Sequence, residues 1–596
     1  MTEPMSATSP DSAFSSLSAP PSDAKSTSGF LALWQSWTRR VFTMREDQFF
    51  LLLAVLIGIL SGLAVVCFRI AIEWTQIELL GSSLAPSTFR VVLAPTLGGL
   101  LVALLVIYAF PRSRGSGVNQ TKSAVYVSNG YIPFNTVVGK FVVCALAIGS
   151  GQSLGPEDPS LQIGAGIASL IGRRLRLSQE KVRLIAPVGA AAGLAAAFNA
   201  PISAVLFVLE EVIGTWSAGV LGAIVLAAIS SVVTMRAFLG PESMFRVPPF
   251  RVAKPVDLLA YVALGIVGGL ASLVFLKWLA YARPRIQSLP NWTKYFQPAV
   301  AGLLIGLIGI RLPQVMGAGY PIIDQAMHGQ FTWKLLLVLA ALKILATGFS
   351  FLSGTPGGMF APALFIGAML GGSVGAIEQH FFPGLPGTVG TFALVGMGTF
   401  FAGFLRVPIT SVFMVIEVSG NYTAILPVMI SSLIAYGISR SYIKVPLFDM
   451  LARQDGLVLP SVEERREQMV LTVEDAMRFD AVVLEPNQNP ADVVKREEAK
   501  EGVLFFLRTR PGEWHFVERS ELQRLAADAS QPHTLAEASS KGALPFVFRD
   551  MSLEEALHWA GDWPALPVLS RADLSKLEGV ITLDDILKAF RKVPVE

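Results

Sequence analysis

Glu157 is a carboxylate set between helix breakers. It lies in Gly155-Pro-Glu-Asp-Pro159, immediately before the helix-like Ser160–Gly172. Peptide N–H groups at a helix start lack intrahelical partners, and together with the positive dipole end they attract an anion. The Glu157 side chain can supply that anion itself. A solute anion that competes for the place must expel it, and protonation favours its leaving. Glu157 therefore reads as a protonatable plug, with a plain N-terminal capping acid as the alternative; neighbouring Asp158 reads as a cap. A second segment, Gly115-Ser-Gly-Val-Asn119, pairs the Ser116 hydroxyl with small residues such as Gly117 that let backbone amides approach a ligand, although the same tripeptide also makes ordinary loops. Glu210 and Glu211 end an apolar helix, where an ionised carboxylate is costly. Lys140 stands in an otherwise uncharged run; it either biases a site toward anions or pairs with one of these glutamates.

The elements that position these residues repeat. Val188–Glu210 returns as Val395–Glu417, with Gly189/Gly396, Pro201/Pro408 and Glu210/Glu417 all at an offset of 207. Upstream, Gly155–Ala165 returns as Gly358–Ala368 at an offset of 203, and Phe360 then stands where Glu157 stands. In Gly357-Gly-Met-Phe-Ala-Pro362 the amides of Met359, Phe360 and Ala361 begin the second broken segment, so two half-helix starts can face one anion site. Glu210 pairs with Glu417, which suggests a structural role common to both halves. Glu211 pairs with Val418, so the acid present in one half only is the better proton relay, with a water-facing helix end as its alternative. Two apolar halves, each with a Gly/Pro-broken segment, point to a transporter whose substrate sits between them near the membrane midplane.

Composition agrees. Of 596 residues 52% are hydrophobic and 15% charged, against about 25% charged in ordinary soluble proteins. Uncharged windows such as Phe49–Phe68, Val91–Phe110, Trp216–Met235 and Gly420–Ser439 are each long enough to cross a hydrocarbon core of roughly 30 Å. Phe134–Leu154, Ser160–Gly172, Met359–Gly372 and Gly387–Phe404 are shorter or interrupted, as expected near a binding site. Cys67 and Cys144, both in apolar runs, build neither a disulfide scaffold nor a zinc site. The five histidines form no HExxH-like pair, and no Ser/His or paired-Asp constellation shares a helix, which argues against an intramembrane enzyme. Nothing points to nucleic acid.

Residues 1–45 read as a disordered leader without a signal-peptide core, 46–450 as the membrane body in two repeats (about 46–250 and 251–450), 451–465 as a linker and 466–596 as a soluble α/β domain. Arg39, Arg40 and Arg45 precede the first span and Arg440 and Lys444 follow the last, so both termini are expected on the cytoplasmic side.

Taken in order, Gly115-Ser-Gly-Val-Asn119, Gly155-Pro-Glu-Asp-Pro159, Gly358-Met-Phe-Ala-Pro362 and Asn199-Ala-Pro201 leading to Glu210-Glu211 resemble the signatures of the CLC chloride channel and transporter family over residues 46–450. The resemblance implies an all-α polytopic fold with an inverted-topology repeat in a bacterial cell membrane. It also implies a homodimer with one pathway per subunit, chloride and protons as partners in the bilayer, and no required cofactor. Ser116 looks like the central chloride ligand, with Gly117 beside it. Glu157 looks like the external gate, and the backbone around Met359, Phe360 and Ala361 like the rest of the anion site. Glu211 falls where proton-coupled members keep an internal acceptor, which favours Cl−/H+ exchange over a passive gated channel. Ser116 favours chloride over nitrate, and Ser116 with Glu211 sets the chain apart from the fluoride-exporting branch.

Three departures stand out. Asn119 replaces a proline, Pro156 and Asp158 flank the gate, and Phe448 in Val445-Pro-Leu-Phe448 takes the place of the pathway tyrosine. Loss of that hydroxyl removes a hydrogen bond to an ion worth about 1.5–3 kcal/mol. The tail resembles a tandem pair of CBS domains. Gly579-Val-Ile-Thr-Leu-Asp-Asp585 matches the ending in which Thr582 and Asp585 would hold an adenosine nucleotide, although such pairs also serve as dimer contacts alone.

Overall fold

The computed structural model describes residues 46–81, 87–214, 218–245, 258–381, 388–457, 459, 471–497, 503–527, 535, 542–571 and 573–592. The expected leader, Trp216 and residues 460–465 of the expected linker lie outside them.

Eight helices of the first half are α1 (Glu46–Leu80), α2 (Thr88–Leu104), α3 (Gly117–Val127), α4 (Phe134–Gly149), α5 (Glu157–Arg174), α6 (Gln179–Phe198), α7 (Pro201–Phe207) and α8 (Ala218–Leu239). The second half repeats the order as α9 (Leu258–Gln287), α10 (Gln297–Gly309), α11 (Tyr320–Met327), α12 (Trp333–Leu352), α13 (Phe360–Phe381), α14 (Val389–Leu405), α15 (Pro408–Ser419) and α16 (Ile425–Tyr442). One further helix, α17 (Leu447–Gln454), has no counterpart among the described residues; it carries the body past residue 450. Among the described residues eight helices are long and apolar enough to cross a membrane.

Packing follows the repeat. α5 lies on α6 as α13 lies on α14, α1 on α8 as α9 on α16, and α2 meets α10 across the two halves. The α5/α6 and α13/α14 pairs are buried, and small residues let their backbones touch: a Cβ on Gly164 would overlap the Gly189 carbonyl, and one on Gly367 the Gly396 carbonyl. The long outer helices instead expose Leu51, Ile229, Val233, Val274 and Leu433, the side chains expected against lipid tails. α6 and α14 end on left-handed residues at matching positions, Asn199 (φ 55°) and Arg406 (φ 66°). Arginine holds that backbone because its guanidinium donates to the carbonyls of Ser439 (2.9 Å), Lys444 (3.2 Å) and Ile443.

After the body come α18 (Val473–Ala476), β1 (Ala481–Leu484), α19 (Pro490–Glu497), β2 (Leu504–Arg510), β3 (Glu513–Val517) and α20 (Arg519–Ala527), then β4 (Val547–Phe548), α21 (Leu553–Ala560), β5 (Leu566–Leu569), β6 (Leu577–Ile581) and α22 (Leu583–Lys592). Each half forms one sheet, β1-β2-β3 and β4-β5-β6, with a parallel pair followed by an antiparallel pair. Phe506, Trp514, Leu569 and Val580 form one buried cluster drawn from both sheets, so the two copies share a core.

Candidate functional site

The starts of α5 and α13 meet. Gly155 and Gly358 exchange both backbone hydrogen bonds, at 2.8 and 2.9 Å, in an antiparallel bridge. Equivalent segments of the two halves thus run in opposite directions where they touch, as an inverted repeat requires. Neither position has room for a side chain: a Cβ on Gly155 would press on Ala361, and one on Gly358 on the Asp158 Cβ.

Glu157 is the first residue of α5 and fully buried, and neither carboxylate oxygen has a hydrogen-bond partner. The backbone amides of Glu157 and Ala361 are the donors directed at the group. A buried carboxylate with so few partners is costly to keep ionised. Its counterpart Phe360 is apolar and packs among Phe198, Phe207, Phe401 and Phe448, with ring centroids 5.0–6.3 Å apart. Phe448, at the start of α17, also meets Phe207 at 6.4 Å. The site is therefore walled on one side by aromatic rings.

Asp158 is a cap, but of a different helix. Its Oδ1 accepts from the Val118 amide at 2.6 Å and from the Ser116 hydroxyl at 3.4 Å, at the start of α3. The donors assigned to an anion from sequence are thus already engaged by a carboxylate of the same chain. Beside them opens a vestibule of about 810 Å³, lined by Ser116, Asn119 and Gln162 and by Arg112, Arg114, Arg283 and Lys294, with Asp455 the one acid among the described residues. A cleft dominated by cationic side chains raises the local concentration of anions.

Glu210 and Glu417 close a reciprocal arrangement. Pro201 and Pro408 open α7 and α15, which leaves the next two amides of each helix unpaired. Glu417 takes those of Ile202 (2.9 Å) and Ser203 (2.7 Å) and the Ser203 hydroxyl (2.5 Å). Glu210 takes those of Ile409 (3.2 Å) and Thr410 (2.8 Å) and the Thr410 hydroxyl (2.5 Å). Each half caps a helix of the other, which gives the paired glutamates a structural role.

Glu211 leaves the same π-helical turn, Val208–Ile213, toward a different partner. Lys122 Nζ lies 2.7 Å from Glu211 Oε1 and 2.6 Å from Asp449 Oδ1, with all three side chains buried. Lys122 and Asp449 escape a reading of the sequence because each stands in a segment polar enough to pass for a solvent-facing turn. The one available signal is that Asp449 adjoins Phe448. Lys140 does not pair with a glutamate. Its ammonium donates to the carbonyls of Ser113 (2.9 Å) and Gly115 (2.6 Å), and Lys343, its equivalent in the second half, donates to those of Val315 (2.9 Å) and Gly317 (2.7 Å). Both lysines pin the loop before a short helix, and Lys140 thereby shapes the Ser116 segment.

In the tail, Thr582 and Asp585 bind one another. Asp585 Oδ2 accepts from the Thr582 hydroxyl (2.6 Å) and amide (3.1 Å), and the Asp585 amide donates back to Thr582 Oγ1 (3.2 Å). This reciprocal box caps α22.

A family model described as Voltage gated chloride channel matches residues 98–440. A putative chloride channel protein ClcB-like of Ralstonia nicotianae is 32% identical over 402 residues, which is 65% of this chain and 92% of that protein. The H(+)/Cl(-) exchange transporter ClcA of Vibrio campbellii is 31% identical over 416 residues, 67% of this chain and 88% of that one. Among solved structures, a slow cyanobacterial Cl−/H+ antiporter aligns with a TM-score of 0.63 at 23% identity, covering 69% of this chain and 99% of the other. A eukaryotic CLC transporter aligns with a TM-score of 0.59 at 20% identity, and this likeness covers 90% of this chain and 97% of the other, so it extends into the tail.

Proposed function

The chain belongs to the voltage gated chloride channel family, and from that membership we propose that it carries chloride across a membrane in exchange for protons, with Glu157 as the gate. The observation that carries this reading is the buried carboxylate of Glu157, without a hydrogen-bond partner, at the junction where the two inverted halves meet. Chloride enters from the cationic vestibule and displaces Asp158 from the Ser116 hydroxyl and the Val118 amide. It then approaches the start of α13 near Met359, Phe360 and Ala361. The Phe448 and Phe360 rings narrow the path. Glu157 leaves its place as the anion arrives and takes a proton as it does so, which links the two flows. Glu211 belongs to the inner end of the proton route. The protonatable side chains of the helical body can serve this exchange without a cofactor.

The relative from Vibrio campbellii bears the name of an exchange transporter, which favours coupling over passive conduction. We further place the protein in a bacterial cell membrane as a homodimer with one pathway per subunit, both termini in the cytoplasm and no enzymatic activity. The tail is read as a CBS pair whose adenosine nucleotide would meet Thr582 and Asp585. Domains then run from a leader at 1–45 through the body from 46 to the end of α17, a linker, and the CBS pair to 596.

Purified protein in liposomes tests the reading. With voltage clamped by valinomycin and potassium, a chloride gradient alone should drive protons uphill, and Glu157→Ala should pass chloride without moving protons. Proton pumping that survives in Glu157→Ala removes the gate assignment; chloride flux without proton movement in the unmodified protein makes it a passive channel.

A further inference from the structure

The vestibule beside Ser116 holds more room and more polar groups than one chloride ion uses. Its volume of about 810 Å³ falls in the range of about 300–1,000 Å³ found for sites that hold small organic molecules. Of its four cationic side chains, Arg283 is already paired with Asp455, at 2.8 and 3.0 Å. Arg112, Arg114 and Lys294 take part in no ion pair among the described residues. Lys294 donates to the neutral Asn291 side chain (2.7 Å), and the Arg114 guanidinium lies against Gly354, just past the end of α12. Three like charges gathered in one cleft repel one another until an anion neutralises them. The same cleft is lined by Asn119, Thr136 and Gln162, which are 6%, 6% and 1% exposed. Asn119 Oδ1, Thr136 Oγ1 and Gln162 Oε1 are buried without a hydrogen-bond partner among the described residues. Buried polar groups are normally satisfied, so these three point to an occupant with donors and acceptors of its own. Ile132, Phe351 and Leu352 supply an apolar wall.

We propose that the vestibule binds a phosphate monoester, and that this occupant shuts chloride out from the Ser116 segment. The phosphate of such an ester carries a charge of about −1.5 to −2 at pH 7 and three strong acceptor oxygens, which suits three unpaired cations better than chloride does. Arg112 and Arg114 offer planar forks that grip two phosphate oxygens at once, and Lys294 adds a point charge. An amide side chain has both a carbonyl oxygen and an NH2 group, so Asn119 and Gln162 serve hydroxyl and ester oxygens alike. The carbon skeleton lies on the apolar wall. Gln454, Asp455 and Leu457 also line the cleft, so it opens where the chain leaves the membrane body for the tail. A soluble phosphate ester and the headgroup of phosphatidic acid both carry this chemistry. The block rests on the chloride-transport reading; the binding does not.

Calorimetric titration of the full-length protein in chloride-free buffer tests the binding, with glycerol 3-phosphate as the probe and glycerol as its uncharged control. The ester should bind and glycerol should not. Replacing both arginines, Arg112→Gln with Arg114→Gln, should weaken the ester by about tenfold or more. In phosphatidylcholine vesicles, the ester on both faces should slow chloride flux, and added chloride should relieve the block. Vesicles that also contain phosphatidic acid form the second arm. Slowed flux there, lessened in the double variant, with no heat from glycerol 3-phosphate, upholds the site with a lipid occupant. Ester heat unchanged in the double variant places the ester elsewhere and overturns the proposal, as does the absence of both ester heat and slowing by phosphatidic acid. Binding that leaves chloride flux unchanged overturns the block. If the double variant does not fold, Lys294→Gln, in the short turn Asn291–Tyr295, should weaken the ester, and unchanged affinity there overturns the proposal as well. Ester heat lost in the double variant of a protein that passes no chloride would uphold the site and reject transport; chloride flux that neither ester nor lipid slows would do the reverse.

Discussion

The Ser116 hydroxyl donates to Asp158 Oδ1 at 3.4 Å, and the same oxygen takes the Val118 amide at 2.6 Å. A tethered carboxylate thus occupies donors that a free anion would need. On the proposed path, chloride competes with Asp158 there and with Glu157 one residue away.

Removing that competitor should tighten anion binding. One hydrogen bond to a charged group is worth about 1.5–3 kcal/mol, so Asp158→Gly should raise chloride affinity by about tenfold or more. Calorimetric titration of the purified protein with chloride reads this directly. Equal or weaker affinity in the variant would show that Asp158 caps α3 without contesting the anion.

Glu210 and Glu417 should matter for stability and not for coupling. Each accepts three hydrogen bonds at a helix start in the opposite half. Replacement by alanine strands those donors and should cost on the order of 3 kcal/mol at either site. Melting temperatures in detergent should fall by similar amounts for Glu210→Ala and Glu417→Ala. A marked inequality between the two would break the symmetry argument.

Much of this was legible in the residues. Gly155, Pro201 and Glu210 recur as Gly358, Pro408 and Glu417 because the fold needs the same close approach, helix start and cap twice, so repetition exposed the architecture. The same logic singled out Glu157 and Glu211 as acids without a counterpart, opposite Phe360 and Val418. What stayed hidden depends on contacts between distant segments. Lys122 sits in α3 and Asp449 in α17, 327 residues apart, and beyond the aromatic neighbour Phe448 nothing local marks either as buried. Lys140 drew attention as a lone charge, yet its meaning emerges from Lys343, whose loop-pinning bonds repeat it. Asp158 was legible as a cap, but not as the cap of α3, since that helix approaches only in the folded chain.

Phe448 offers a test of the inner wall. It is buried against Phe207 and Phe360, so a hydroxyl at the ring edge is tolerated only if it faces the anion. Phe448→Tyr should therefore fold and bind chloride about tenfold more tightly, the value of one ion-directed hydrogen bond. Loss of folding or unchanged affinity would place the ring edge against protein and remove Phe448 from the path.

The capping box in the tail separates two roles. Asp585→Ala should destabilise α22 by about 1 kcal/mol with or without nucleotide, since it removes a cap. Titration of the whole protein with ATP, ADP and AMP then decides the second role. Heat that disappears in Thr582→Val supports a nucleotide site; no heat with any of the three leaves the box as a helix cap alone.

The central claim is that one buried glutamate couples two ions, and the reversal potential in planar bilayers measures this most directly. At a fixed chloride gradient, the potential of zero current should move when a pH gradient is imposed, and in Glu157→Gln it should return to the chloride equilibrium potential. A reversal potential that stays at the chloride value in the unmodified protein, whatever the pH gradient, would contradict the account.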